Sequence, residues 1–298
     1  MRVATSTVSD TIIRQIQLLS SQQSKLQNQV ATGQRISQPE DDPAAVGRVL
    51  NLETEQRNIT QYGTNTAKAL EIAQASFSGL QSIKTISDRA GELGTLGAGV
   101  LGSDAMAAYA TETDQLIEQA VQSANTRFNG NYIYAGTAVD SPAITVTRDS
   151  SGQITAATYA GNTAQASIPL SEAASVTPST NGTTNAGLAT FINNLVALRN
   201  ALNSGDTTAV TAAQGGLTSS EDLLVGALAD NGGVQTRIEA SQAQQADRST
   251  SVDQLISSET SADLPATIVQ LNQTQTAYQA ALQSAANIMH LSLLDYIK

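Results

Sequence analysis

The sequence predicts a mainly α protein with a small β insertion. It reads as a nested long-helix bundle, with the N- and C-terminal helices paired as a coiled coil and the middle of the chain making a distal β-hairpin domain. Three observations carry this. Apolar residues recur at alternating spacings of four and three near both ends. Aromatics are only 3% of the 298 residues, so the core must come from helices that bury Ala, Leu and Ile. Between about 138 and 185 the pattern changes to short alternating runs separated by Ser, Thr, Asn and Gly.

The first element follows from Ile12, Ile16, Leu19, Gln23, Leu26 and Val30, one stripe along a helix. Gly33 ends it, because glycine accepts the left-handed cap. Asp42 and Pro43 start the second helix, the carboxylate capping free N–H groups and proline suiting the first helical position. That helix is expected over about 43–90, interrupted at most by Gly63. Gly91, Gly94, Gly97, Gly99 and Gly102 mark a connector, and a third helix follows over about 104–127. Residues 128–136 switch to turn and strand chemistry.

The insertion reads as hairpins: 144–147 and 154–159 alternate around a turn at Ser150-Ser151-Gly152. Gly161-Asn162 offers a second turn before 166–170, and a polar loop is expected at about 175–187. Phe191, Ile192, Leu195, Leu198 and Leu202 then restore helical spacing, closed by Ser204-Gly205-Asp206. A long helix over about 217–259 follows, weakest at Asn231-Gly232-Gly233. The last helix starts at Asp263 and Pro265, with a stripe of Leu264, Ile268, Leu271, Gln275, Tyr278, Leu282, Ala285 and Met289. The expected domains are 1–42 with 260–298 as terminal coiled-coil region, 43–137 with 186–259 as helical bundle, and 138–185 as a surface-exposed β domain.

Composition excludes several classes of function. The net charge of -11 and the scattered basic residues disfavour nucleic acid and anionic membranes. No run approaches a membrane span, and residues 1–20 lack the apolar core of a secretory signal. With no Cys and one His, at 290, neither a thiolate metal site nor a catalytic triad can be argued, and no cofactor is expected. Gly97-Ala98-Gly99-Val100-Leu101-Gly102 fits a dinucleotide fingerprint only in letters, because a helix and not a strand precedes it. Asp41-Asp42 reads as capping chemistry and Glu221-Asp222 as a solvated pair. The chain is therefore read as structural and non-enzymatic. The alternative of an enzyme or adhesin on such a scaffold meets an insertion without His or Cys.

A 4–3 stripe needs something to face. The two terminal stripes are each other's simplest partners, and the assembly interface is placed on Ile12, Ile16, Leu19, Leu26, Val30, Leu264, Ile268, Leu271, Tyr278, Leu282, Met289, Leu293 and Leu294. One stripe of aliphatic residues does not clearly offset the entropy of ordering the ends, so they are expected to order on assembly. Gln23 and Gln275 are polar breaks in the stripes, tolerated or setting register.

These ends resemble the flagellin family. The matching N-terminal segment is 31–45, with Gly33, Arg35, Asp41, Asp42 and Pro43, and the C-terminal match is 278–282 followed by 291–297. Proline after Asp41-Asp42, the turn from Gly130 to Gly136 and Thr137, and the helix ending at Asp206 resemble the hook–filament junction branch more than filament subunits. The resemblance implies a subunit exported unfolded through the flagellar type III channel, without a cleaved signal, to an extracellular site on the flagellum. It implies contact with neighbouring copies, with another hook-associated protein, with flagellin, and with an export chaperone at the C-terminal helix. A divergent flagellin filament subunit is the alternative.

Overall fold

The computed structural model describes residues 2–99 and 102–294, and the side chains of 10–99 and 102–287. The element order is α1 (Arg2–Thr32), α2 (Pro43–Gly97), α3 (Ser103–Ala124), β1 (Arg127–Phe128), β2 (Asn131–Tyr132), β3 (Ile144–Arg148), β4 (Ile154–Tyr159), β5 (Ile168–Pro169), β6 (Ser175–Val176), α4 (Gly182–Ser204), α5 (Thr207–Thr260) and α6 (Leu264–Leu294). The mainly α architecture with small antiparallel strand pairs is the one expected.

Two helix boundaries differ from expectation. α2 continues through Gly91 and Gly94 to Gly97, and α5 starts at Thr207, ten residues early, running as expected through its weakest point at Asn231, Gly232 and Gly233. A mid-helix glycine costs about 0.5–1 kcal/mol, too little to stop a helix whose other positions are packed. Two of these glycines make room instead. A Cβ at Gly94 would meet Gln214 at 2.9 Å, and one at Gly97 would meet Leu202 at 2.4 Å.

The chain divides into two compact units. One is Met1–Asn58 with Arg248–Lys298, and the other is Ile59–Asp247. In the second, α3 packs on α4 and the β3–β4 hairpin lies against α4. Its core holds Leu80, Ile83 and Leu93 of α2, Ile117 of α3, and Phe191, Ile192, Leu195, Leu198 and Leu202 of α4. The stripe read for α4 is thus buried, and Gly205 closes the helix at φ 67°.

Residues 138–185 lie inside this unit and do not form a core of their own. Ile144, Ile154 and Ala157 belong to the same cluster as the helices. Asparagines dock the hairpin. Asn125 Oδ1 accepts from Ile144 N (2.9 Å) and its Nδ2 donates to Ile144 O (2.9 Å), while Asn193 does the same for Ala157 at 2.8 and 2.9 Å. They satisfy strand groups that would otherwise be buried without partners. The second expected hairpin is also re-paired: β5 joins β6, not β4. Leu170 and Val176 form a separate small cluster with Ala69, Ala73 and Ile238. The loop expected to reach 187 ends at Asn181, whose side chain caps α4 by accepting from Thr184 N at 2.7 Å.

The Asn129-Gly130 turn has φ 50° and 86°, both left-handed as a two-residue hairpin requires, and joins β1 to β2. Beyond it Tyr134 is fully buried and donates to Ser76 O at 2.8 Å, lying across Gly79 of α2. Burial pushes its phenol pKa upward.

Candidate assembly interface

The site is built from the terminal helices and the two segments that join them to α2 and α5. Gly33 takes φ 70° and ends α1, as glycine there should. The chain then forms a short antiparallel bridge, Gln34 with Ser261. Arg35 N donates to Thr260 O (2.7 Å) and Ala262 N to Gly33 O (2.9 Å), so the end of α1 and the start of α6 are held side by side. α1 and α6 pack together from that point as an antiparallel pair.

Gly33, Arg35, Asp41 and Asp42 furnish this junction. Asp42 Oδ1 accepts from Ala45 N at 3.0 Å, the cap expected for α2, and its Oδ2 meets Arg35 Nη1 at 3.1 Å. Asp41 Oδ2 accepts from Ser37 N and Gln38 N, each 2.9 Å, while Oδ1 pairs with Lys25 Nζ at 2.7 Å. The Lys25 ammonium first, and then the two backbone N–H groups, hold the Asp41 carboxyl well below the usual range. Asp42 is lowered by the Ala45 N–H and then by Arg35. Glu259 takes a two-point ion pair from Arg48 (2.9 and 2.8 Å), which lowers the acid and raises the base. Lys25, Arg48 and Glu259 carry no local signal in the sequence that would mark them as part of the site. No spacing rule joins Arg48 to a residue 211 positions away.

On α1 the stripe faces inward as read. Leu26 is buried and Ile12, Ile16, Leu19, Gln23 and Val30 are half-buried, with exposed neighbours. On α6 the expected stripe is only partly inward, with Leu271, Gln275, Tyr278 and Ala285 half-buried and the rest of its described residues exposed. Leu264, Ile268 and Leu282 are 40%, 44% and 43% exposed, whereas Thr267 and Thr274 are buried and Leu271, Tyr278, Ala281 and Ala285 are half-buried. Both faces have 4–3 spacing and share Leu271, Tyr278 and Ala285. The inward one is the less apolar, because small Thr and Ala let the backbones approach. The hydroxyls are satisfied within the helix, Thr267 to Asp263 O at 2.7 Å and Thr274 to Gln270 O at 2.8 Å. Val269, Ile13 and Leu18 add to the apolar surface left outside.

Met289, Leu293, Leu294 and His290 lie outside the described side chains. Gly130 and Gly136 belong to the second unit. Gly136 has φ 70°, and a Cβ there would fall 2.3 Å from Asn162 O. Among the described residues no group of His, Cys, Asp or Glu could hold a metal ion, and no helix is long and apolar enough to cross a membrane. Val100 and Leu101 of the glycine fingerprint are not described, and its first glycine ends α2, not a strand.

Residues 3–139 match the bacterial flagellin N-terminal helical region. Two curated relatives, from Salmonella typhimurium and Escherichia coli, are each 30% identical over 138 residues, and both are named flagellar hook-associated protein 3. The chain resembles flagellar hook-associated protein 3. The aligned stretch is 46% of this chain and spans 44%, about half, of the length of each relative. The fold is shared with a putative flagellar hook-associated protein from Vibrio parahaemolyticus, at TM-score 0.66 and 20% identity, over 74% of this chain and 100% of that one. It is shared also with Bacillus cereus FlgL, at TM-score 0.60 and 18% identity, over 70% and 99%. These matches support a hook-associated-protein-3-like chain with a mainly α fold.

Proposed function

We propose that this chain is a structural subunit of the bacterial flagellum at the hook–filament junction, polymerised through the outer face of its terminal helix pair. The observation that carries the reading is the unpartnered apolar surface of Leu264, Ile268, Val269 and Leu282 on α6, with Ile13 and Leu18 on α1. Full burial of such a side chain is worth roughly 1.5–3 kcal/mol. Six of them, each about half exposed, would add roughly 4–9 kcal/mol. Association costs about 4–15 kcal/mol. One pairwise contact is therefore marginal, and a subunit gripped by several neighbours is held. That balance favours a closed or helical array of copies over a dimer, with the ends of the pair ordering fully on assembly.

The other parts of the proposal rest on the family likeness: export unfolded without a cleaved signal, an extracellular location, seating on another hook-associated protein, reception of flagellin, and chaperone binding at α6 before export. Deletion of the gene tests the role. Loss of filaments with free flagellin in the medium supports a junction subunit. Recovery of this chain as the bulk of sheared filaments identifies a filament subunit instead.

A further inference from the structure

The segments at 33–42 and 259–262 do more than connect helices. We infer that they form a clasp that seeds the terminal pair, so that α1 and α6 order from the clasp outward. Three observations converge. The backbone bridge at Gln34 and Ser261 fixes the last turn of α1 beside the first turn of α6. Two side chains of α1 reach back to the connecting segment, Gln29 Nε2 to Arg35 O at 2.8 Å and Lys25 to Asp41 at 2.7 Å, while Arg35 Nη2 donates to Glu259 O at 3.0 Å. The fully buried side chains of the pair also all lie in its near half. Leu26, Thr267 and Thr274 are buried, but Ile12, Ile16 and Ala285 are only half-buried.

Helix formation is limited by its nucleus and cheap to propagate. Two helix ends already held in register supply that nucleus and remove the entropy of bringing them together. The clasp therefore keeps the near half of the pair ordered in the free subunit and leaves the far half to fray. This inference stands on the isolated chain and does not depend on whether or where the subunit assembles.

Hydrogen exchange on the dilute full-length chain tests it. Wild type should show protection in 19–30 and 267–278 that declines toward residue 12. The double variant R35A/D41N should exchange about ten-fold faster or more in both segments, with α4 and β3–β4 unchanged as a check on folding. I16S should loosen only the far half. The inference fails if wild type lacks protection near Leu26, if R35A/D41N leaves that protection intact, or if I16S melts the pair through to the clasp.

Discussion

The outer face of α6 can be tested by the double substitution I268S/L282S. Both residues are exposed in the subunit, at 44% and 43%, so the subunit itself should lose little, within about 0.5 kcal/mol by thermal melting. In an assembly that covers this face, each side chain would bury the remaining two-fifths of its surface. At roughly 1.5–3 kcal/mol for a whole side chain, the pair contributes roughly 1.3–2.6 kcal/mol per interface. That is a weakening of about 10- to 80-fold per contact. The critical concentration for self-assembly, followed by light scattering, should rise accordingly, and the variant should fail to restore filaments to a deletion strain. L271S is the contrast, because Leu271 is half-buried on the inward face and its loss should loosen α1 from α6 in the free chain. An unchanged critical concentration for I268S/L282S, or a melt as damaged as that of L271S, would refute the assignment of faces.

Glycines inside α2 should respond oppositely according to their surroundings. G91A, with nothing within 4 Å of its new Cβ, should gain about 0.5–1 kcal/mol, whereas G79A places a Cβ 2.3 Å from the Tyr134 hydroxyl and should lose about 1–3 kcal/mol, partly relieved in G79A/Y134F. D114A should cost about 2–3 kcal/mol in denaturant melts, because Arg199, only 3% exposed, loses the carboxylate it pairs with at 2.7 Å and is left with the Asn200 amide oxygen alone. Asp41, Asp42 and Glu259 all have folded pKa values below their unfolded ones. Their contribution is therefore complete above the unfolded carboxylate range of about 4 and is lost as pH falls below it. Exchange protection at 19–30, referenced to intrinsic rates, should be flat from about pH 5 to 8 and decline only below about pH 4.

What could be read from the sequence was what local chemistry dictates. The Asp42 cap, Gly33, the turn and strand chemistry of 128–136 and the stripes of α1 and α4 each depend on a few neighbouring residues, and each stands where the pattern put it. The end of α2 is expected near residue 90 but lies at Gly97, beyond glycines packed on Gln214 and Leu202 from distant parts of the chain, which a single glycine does not announce. Of the clasp carboxylates Asp42 reads as a cap and is one, whereas Asp41 bonds back to Ser37 and Gln38, and the ion pairs of Lys25 and of Arg48 with Glu259 have no period to announce them.

The α6 face is the most instructive miss. Apolar content favoured Leu264, Ile268 and Leu282, and the fold chose Thr267, Thr274 and Ala281, because close approach to α1 rewards small side chains more than large ones. A helix that turns its poorer face to its own partner keeps the richer one for another. If so, the inward face is improvable. T267V/T274V retains β-branched size, removes two hydroxyls that bond only to their own helix, and should stabilise the α1–α6 pair by about 0.5–1 kcal/mol per site. The gain should show as slower exchange across 264–278 in the free chain, with the critical concentration for assembly little changed. A variant that leaves this exchange untouched but abolishes assembly would mean that the threonine face meets neighbours rather than α1.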